Sequence, residues 1–302
     1  MLTGALATAA GAALGAPVSK EVTGTSRALR IAFLTDVHLD TKKNCADGFA
    51  RCLRKIESLK DRPNFIVQGG DVIYDALTRD AISVDAQYDL ARDILRRNTK
   101  MRVEHVIGNH DIWGWLRSDA GTIRSAPLYG KAWWQTWSDQ DLYRSFDVRG
   151  WHFVILDSMM PHPRHGYMAK LDQAQFDWFK NDLENTKTST PVCVISHVPI
   201  ISTSALMFGD GDRRGRWEVP SWLMHIDARR IKDLLNQHRN VKLCLSGHVH
   251  MHSRADYNGV KHIGFGAVCG AWWKGPMQET PPGFGVLDLF KDGSSKHYYI
   301  SY

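Results

Sequence analysis

Six short apolar runs constrain the fold of this chain more than any other feature of its sequence. Each run is four to six residues long, rich in β-branched side chains, and apolar enough to be buried on both faces. Runs of this kind are typical of central strands in a sheet that is covered on both sides. They span residues 30–35, 65–68, 103–107, 152–157, 192–196 and 241–246.

Segments with the periodicity of surface helices separate these runs. Helices are predicted over residues 47–60 and 85–97. Two more are predicted to begin after Asp172 and Asp227, whose carboxylates can cap a helix N-terminus. Because strands and helices alternate, the sequence predicts a layered α/β domain with its strands in the middle.

Turn signals of β-hairpins occur at three places, two of them near the C-terminus. They are the dipeptides Arg149-Gly150, Asn258-Gly259 and Asp292-Gly293. The last third of the chain is therefore expected to contain antiparallel strands. One mixed sheet, or two sheets packed face to face with helices outside, would accommodate both patterns.

Three long tryptophan-bearing insertions interrupt the alternation of strands and helices. They cover about residues 112–141, 200–226 and 266–283. Loops of this length usually carry function, so the insertions are expected to surround a site. We predict a single domain over residues 28–302 that includes them.

The first twenty residues are small, apolar and uncharged before Lys20. They resemble a truncated export signal with a cleavage point near Ala16, although the basic start of such a signal is missing. We interpret residues 1–27 as a tail and predict export to the periplasm or beyond, in a bacterium. A cytoplasmic protein with a flexible tail is the alternative.

Composition allows a full core but gives few hints about partners. The chain has 302 residues, 43% of them hydrophobic, and a formal charge of +6 without any long basic run. Nucleic acid is therefore permitted but not indicated as a partner. The five cysteines form no CxxC pair, so no disulfide scaffold is implied. No later segment is apolar enough to span a membrane.

Metal-binding side chains follow the ends of five of the six apolar runs. In open α/β sheets, ligands bind beyond the carboxyl ends of the strands. Seven nitrogen and oxygen donors are too many for one tetrahedral site, and they suit two adjacent ions that share a carboxylate. Imidazole with carboxylate favours Mn, Fe or Zn over Mg or Ca. The candidate ligands are Asp36, His38, Asp71, Asn109, His197, His248 and His250.

Two of the ligand pairs have i, i+2 spacing. Asp36 and His38 form one pair, and His248 and His250 form the other. In an extended segment, this spacing would project both side chains of a pair in the same direction.

The order of these blocks is D-x-H, G-D, G-N-H-D, H and G-H-x-H, and it resembles the signature of the calcineurin-like metallophosphoesterase superfamily. All five blocks are intact and in order between Arg30 and about Tyr257. A single block is weak evidence, whereas five in order, each behind an apolar run, are specific. The resemblance implies an α/β (α+β) fold: a four-layer sandwich of two packed mixed β-sheets flanked by helices.

The resemblance also implies roles for the individual ligands, and hence a cofactor of two divalent or trivalent first-row metal ions. One ion would be held by Asp36, His38 and His250. The other ion would be held by Asn109, His197 and His248. Asp71 would bridge the two ions.

Two residues of the G-N-H-D block are not ligands in this scheme. The resemblance implies that His110 faces the substrate, as general acid to the leaving oxygen or as donor to the phosphoryl oxygens. Asp111 would orient His110 and keep it protonated.

Four further residues are candidate substrate contacts, at or beside the metal ions. Tryptophans on loops could stack on a base or cover a sugar or acyl group, and an arginine could grip a phosphate. The alternative is that the tryptophans pin long loops to the core and that the arginine lies in a solvated turn. The candidates are Trp113, Trp115, Arg213 and Trp272.

The sequence therefore predicts a metal-dependent hydrolase of small or medium phosphate esters, with diesters favoured over monoesters. A nuclease of the same superfamily is one alternative. A metal-binding scaffold without activity is another, and members of that kind usually lack a signature residue that this chain retains. The sequence does not predict the oligomeric state.

Overall fold

A computed structural model describes residues 26–208 and 215–302 of the chain. The predicted N-terminal export signal and Arg213 lie outside these residues. In chain order the strands are β1 (Arg27–Leu34), β2 (Phe65–Gln68), β3 (Val103–His105), β4 (Arg144–Val148), β5 (Trp151–Leu156), β6 (Met159–His162), β7 (Gly166–Ala169), β8 (Val192–Ser196), β9 (Val241–Ser246), β10 (Ser253–Tyr257), β11 (Val260–Gly264), β12 (Gly283–Phe290) and β13 (Ser295–Ser301). The α-helices are α1 (Lys43–Glu57), α2 (Ala81–Asn98), α3 (Ala120–Ile123), α4 (Ala132–Ser138), α5 (Gln173–Asn185) and α6 (Ala228–Gln237).

The strands form two large mixed sheets and one small hairpin. The first sheet has the order β13-β12-β1-β2-β3, with β1, β2 and β3 parallel and β12 antiparallel to its two neighbours. The second sheet has the order β10-β11-β9-β8-β5-β4, in which four central strands are parallel and the two edge strands are antiparallel. Strands β6 and β7 form the hairpin.

The two sheets pack face to face through an apolar core. Alternate residues of the central strands point into it, including Phe33 and Phe65 from the first sheet and Phe153 and Leu245 from the second. Helices cover the outer faces, with α1 and α2 on the first sheet and α5 and α6 on the second. The predicted four-layer sandwich is confirmed.

Most of the predicted turns and helix starts are confirmed. The turns at Arg149-Gly150 and Asn258-Gly259 have positive φ at both residues, as two-residue hairpins require. The Asp172 carboxylate accepts a hydrogen bond from the Gln175 N–H at the start of α5. Helix α6 begins directly after Asp227, as predicted, but the Asp227 carboxylate makes no capping hydrogen bond: it accepts instead from the Leu171 N–H and faces His225.

Boundaries differ by a few residues where burial continues past an element. Helix α1 begins at Lys43 and ends at Glu57, four and three residues before the predicted limits, and β3 ends two residues before the apolar run does. Residues 106 and 107 are buried but leave the strand, and they lead the chain to the site.

The first insertion is packed on the core largely through its tryptophans. Trp133, Trp134 and Trp137 on α4 are buried, and the Trp137 indole donates to the Tyr88 carbonyl at 2.9 Å. Lys131 forms a salt bridge with Asp157 at the end of β5. All five cysteines are buried and free. Within the described residues, no helix has the length and apolar character needed to cross a membrane.

Candidate metal centre

The carboxyl ends of five strands, three from one sheet and two from the other, converge on one buried cluster. Asp36 and His38 follow β1, Asp71 follows β2, and Asn109 lies in a 3-10 turn after β3. From the second sheet, His197 follows β8 directly. His248 and His250 follow β9.

The i, i+2 spacing suggested that the ligand segments are extended, but they are not. Five of the candidate ligands have left-handed backbone conformations, with φ between 44° and 69°. Such a conformation costs about 1–2 kcal/mol for a residue other than glycine, and it is found where a site requires it. The residues concerned are Asp36, His38, Asp71, His248 and His250.

One group of side chains lies beneath the ends of β1 and β9. His250 Nε2 lies 3.1 Å from His38 Nε2 and 3.3 Å from Asp36 Oδ1. The other Asp36 oxygen, Oδ2, accepts from the Thr35 hydroxyl at 2.7 Å and from the His248 N–H at 2.9 Å. The carboxylate is therefore fixed by one oxygen and directs the other towards the imidazoles.

A second group lies beside the first and shares Asp71 with it. Asp71 Oδ2 is 3.2 Å from His197 Nε2 and 3.6 Å from His38 Nε2, so this carboxylate lies between the two groups. His248 Nδ1 is 3.3 Å from His197 Nε2. The side-chain oxygen of Asn109, Oδ1, is buried without a hydrogen-bond partner among the described residues.

Hydrogen bonds at the rear of two imidazoles fix which nitrogen faces the cluster. His197 Nδ1 donates to the Gly69 carbonyl at 2.8 Å, and His250 Nδ1 donates to the Gly270 carbonyl at 2.7 Å. The Nε2 atoms are then free to act as ligands, as in many metal sites. Asp36 Oδ1 is buried and unpartnered within the part of the chain that the structure describes. Buried acceptors that face one another in this way fit a cation.

The negative charge of the two carboxylates also affects the pKa of His197. Burial lowers the pKa of this imidazole, but the carboxylates of Asp71 and Asp36 outweigh it and raise the pKa to about 9. The cluster thus attracts positive charge, which protons or metal ions can provide.

At two positions of the signature, only glycine leaves enough space for a neighbouring carboxylate. A Cβ atom on Gly108 would lie 2.1 Å from Asp71 Oδ1, and a Cβ atom on Gly247 would lie 2.4 Å from Asp36 Oδ2. Both distances are far below contact distance. These glycines let the backbone approach the carboxylates closely.

The sequence model of the calcineurin-like phosphoesterase family matches residues 29–252, which is most of the chain. The chain belongs to this family. It is 20% identical over 280 residues to a 3′,5′-cyclic-nucleotide phosphodiesterase of Nostoc sp., covering 88% of this chain and 90% of that protein. It is 24% identical over 281 residues to a probable cyclic nucleotide phosphodiesterase of Synechococcus sp., covering 91% and 93%.

The fold is also similar to that of solved structures. A dimetal phosphatase from Danio rerio superposes with a TM-score of 0.62 at 15% sequence identity, covering 91% of this chain and 100% of that one. At this identity the likeness shows a shared fold. Membership of the calcineurin-like family therefore rests on the sequence, and the architecture agrees with it.

In the G-N-H-D block of the family signature, the side chains of His110 and Asp111 point in different directions. The Asp111 carboxylate turns inward and accepts from the N–H groups of Gly108 and Asp71, both at 2.9 Å, and of Val72 at 3.0 Å. The resemblance implied that Asp111 orients His110, but among the described residues no hydrogen bond joins these two side chains. Asp111 instead organises the backbone that carries Asp71.

His110 points towards the cavity and has a different carboxylate near it. Its Nδ1 lies 3.8 Å from Asp75 Oδ1, and its backbone N–H donates to Asp71 Oδ1 at 2.8 Å. Burial lowers the pKa of His110, but the charges of Asp71 and Asp75 outweigh burial and raise it. Asp75 was missed in the sequence, where its only signal is a second carboxylate four residues after Asp71.

The cluster opens into a cavity of about 140 Å³. Residues of the candidate metal site form its floor, and aromatic and apolar side chains from loops and from strand β7 form its walls. The wall residues are Tyr167, Phe208, Trp222, Leu223, Trp272 and Met277. Tyr167, Phe208, Leu223 and Met277 were not predicted, because apolar side chains in loops look like core residues in a single sequence.

Of the three candidate substrate contacts that the structure describes, one lines the cavity and two do not. Trp272 lines the cavity, with its ring centroid 3.8 Å from that of His38. Trp113 does not line it, because its indole is buried against Trp133 and donates to the Arg79 carbonyl. Trp115 lines a different groove, with Tyr129.

Proposed function

We propose that this chain is a dinuclear metal-dependent phosphodiesterase. The observation that carries the proposal is the position of the Asp71 carboxylate between two groups of imidazoles, 3.2 Å from His197 and 3.6 Å from His38. A shared carboxylate between two nitrogen-rich groups is the arrangement expected for a pair of first-row ions.

The candidate ligands divide between two positions. We call the first metal position the one formed by Asp36, His38 and His250. The second metal position is the one formed by Asn109, His197 and His248. Asp71 belongs to both. When bound, Mn, Fe or Zn ions at these positions would neutralise phosphoryl oxygens and lower the pKa of a water molecule that attacks phosphorus.

We assign to His110 the role of proton donor to the leaving oxygen. Its imidazole borders the cavity, is 22% exposed, and lies edge-on to His38 and Trp272, with ring centroids 4.8 Å and 5.0 Å away. The Asp75 carboxylate favours the protonated form of His110. A proton donor at this point assists the departure of an alkoxide.

Diesters, and 3′,5′-cyclic nucleotides among them, are the substrates we propose first. Two relatives that align over most of their length are named as cyclic-nucleotide phosphodiesterases. The aromatic walls of the cavity support the same choice, because rings such as Tyr167 and Trp222 can stack on a base.

The test uses the metal-free chain reconstituted with Mn²⁺ or Zn²⁺. We expect turnover of cyclic AMP or bis(p-nitrophenyl) phosphate to exceed that of p-nitrophenyl phosphate. His110→Ala should keep its metal content and lose about 10²- to 10⁴-fold in kcat. Asp71→Asn should lose metal from both positions.

Other outcomes would favour the alternatives. Preferred hydrolysis of the monoester would contradict the diester assignment. Cleavage of DNA with little turnover of small esters would indicate a nuclease. Full metal occupancy without turnover of any ester would indicate a metal-binding scaffold.

A further inference from the structure

The loop of residues 268–275, which we call the tryptophan loop, contacts all three ligands of the first metal position. The Cys269 N–H donates to the Asp36 carbonyl at 3.2 Å. The Trp273 indole donates to the His38 carbonyl at 3.0 Å. The Gly270 carbonyl accepts from His250 Nδ1 at 2.7 Å.

The second metal position has no such support from this loop. His197 is held instead by the Gly69 carbonyl. Among the residues that the structure describes, no hydrogen bond joins the tryptophan loop to Asn109, His197 or His248. The loop therefore distinguishes between two positions that share Asp71.

The conformation of the loop is strained and needs an external support. Trp272 and Trp273 are consecutive residues with left-handed backbones, at φ 56° and 64°. Large side chains rarely adopt this conformation, and two in succession persist only when their surroundings hold them. Trp272 lies over the imidazole of His38, whereas Trp273 points the other way, into helix α1.

Helix α1 receives Trp273 at a glycine. A Cβ atom on Gly48 would lie 2.1 Å from Cζ3 and 2.8 Å from Cη2 of the Trp273 indole. Inside a helix, glycine is less favourable than alanine, because it loses more backbone freedom on folding and contributes no side-chain packing. The fit of the indole against bare backbone explains why glycine occupies this position in α1.

We propose that Trp273 is a positioning residue for the first metal position. Its indole, seated on Gly48, holds the tryptophan loop against the backbone of Asp36 and His38 and keeps the Gly270 carbonyl behind His250. The loop thereby sets the affinity of the first position and leaves the second unaffected. This inference rests on the proposed function, because it assumes that two ions bind.

Gly48→Ala tests the proposal by pushing the indole away from helix α1. Isothermal titration of the metal-free chain with Mn²⁺ should resolve two classes of site in the unmodified protein. We expect Gly48→Ala to weaken one class by about 10- to 100-fold, the usual effect of disturbing groups behind metal ligands, with the other class within about twofold. His250→Ala should abolish the affected class, and Asn109→Ala the unaffected one.

Matched controls come from the same chain. Gly121→Ala places a methyl group in helix α3, where no atom lies within 4 Å, and should change neither class. Trp273→Phe removes the N–H donor without adding atoms, so it applies the same test if Gly48→Ala does not fold. Trp178→Phe, on the far helix α5, is its control and should bind Mn²⁺ like the unmodified chain.

The outcomes separate this inference from the proposed function. Two unchanged classes in folded Gly48→Ala and Trp273→Phe would overturn the inference and leave the proposed function standing. Equal weakening of both classes would also overturn it, since that would indicate a general loss of structure. An unmodified chain that binds no Mn²⁺ would overturn both.

Discussion

At the scale of single residues, adjacent side chains in the G-N-H-D block have opposite environments. His110 borders the cavity, and Asp111 is fully buried beneath the loop that carries Asp71. Their adjacency suggested that Asp111 orients His110, which is wrong, because the Asp111 carboxylate bonds to backbone N–H groups instead. The predicted effect of its charge is present: Asp111 raises the pKa of His110, after the larger effects of Asp71 and Asp75. The 3-10 turn sends the two side chains in different directions, and a single sequence does not show this.

Asp111→Asn should destabilise the protein more than His110→Ala does. The amide would keep one acceptor but place an N–H group against backbone donors now satisfied by the carboxylate, at 2.9 to 3.0 Å. We expect a loss of about 2–4 kcal/mol in the free energy of unfolding, measured by urea denaturation. His110→Ala removes a cavity-facing ring and serves as the control. Equal stability of Asp111→Asn and the unmodified chain would contradict this role.

At the scale of elements, a buried histidine connects two strands of the second sheet to the helix α5 that covers it. His152 on β5 hydrogen-bonds through Nδ1 to Asp147 on β4, at 2.8 Å, and through Nε2 to Asp182 on helix α5, at 2.9 Å. The sequence showed only a polar residue at the start of an apolar run. Asp147 pairs with His152 across the hairpin that turns at Arg149-Gly150, whereas Asp182 lies 30 residues away on a helix, where spacing could not predict the contact.

Stability should fall as pH rises through the titration of His152. Burial lowers the pKa of this imidazole, but the two carboxylates outweigh burial and raise it. A group with a raised folded-state pKa contributes its full stabilisation below the ordinary histidine value of about 6.5 and loses it as pH rises past the folded pKa. Urea unfolding of the unmodified chain and His152→Gln, from pH 5.5 to 8.5, measures this.

The difference in unfolding free energy between the two proteins should shrink as pH rises. His252→Gln offers a contrast, because burial lowers the pKa of His252. A difference between His152→Gln and the unmodified chain that stays constant across this pH range would contradict the assignment.

At the scale of the whole molecule, the alternation of apolar runs and helical segments was enough to predict a layered α/β fold. The runs around Phe33 and Phe153 are buried on both faces, so composition alone marks them as central strands. The pairing of the two sheets needed the family resemblance. The cavity walls were not predictable, because the β6-β7 hairpin that carries Tyr167 and the loop that carries Met277 are placed by long-range packing.

Removing metal should lower the thermal stability of the whole chain. Among the described residues, Asp36 Oδ1 and the side-chain oxygen of Asn109 are buried and accept no hydrogen bond; a bound cation would give them a partner, and the unfolded chain offers no comparable site. At a hundredfold excess over Kd, each ion should add about 2.7 kcal/mol. Differential scanning calorimetry with EDTA or with increasing Mn²⁺ measures the change in Tm.

The control for this prediction is Asp71→Asn, which lacks the shared carboxylate. Its Tm should respond little to EDTA or to Mn²⁺. An unmodified chain with the same Tm in both solutions would show that the folded protein gains nothing from the ions.

The two sheets each supply candidate ligands to both of the proposed metal positions. The first position joins His38 after β1 to His250 after β9, and the second joins Asn109 after β3 to His197 after β8. Any sliding of one layer past the other would alter these cross-layer distances together, whereas movement of a turn that contacts none of these residues would alter none. The affinity for ions should therefore depend strongly on how the layers are aligned. A core substitution far from the cavity should weaken ion binding before the fold is lost.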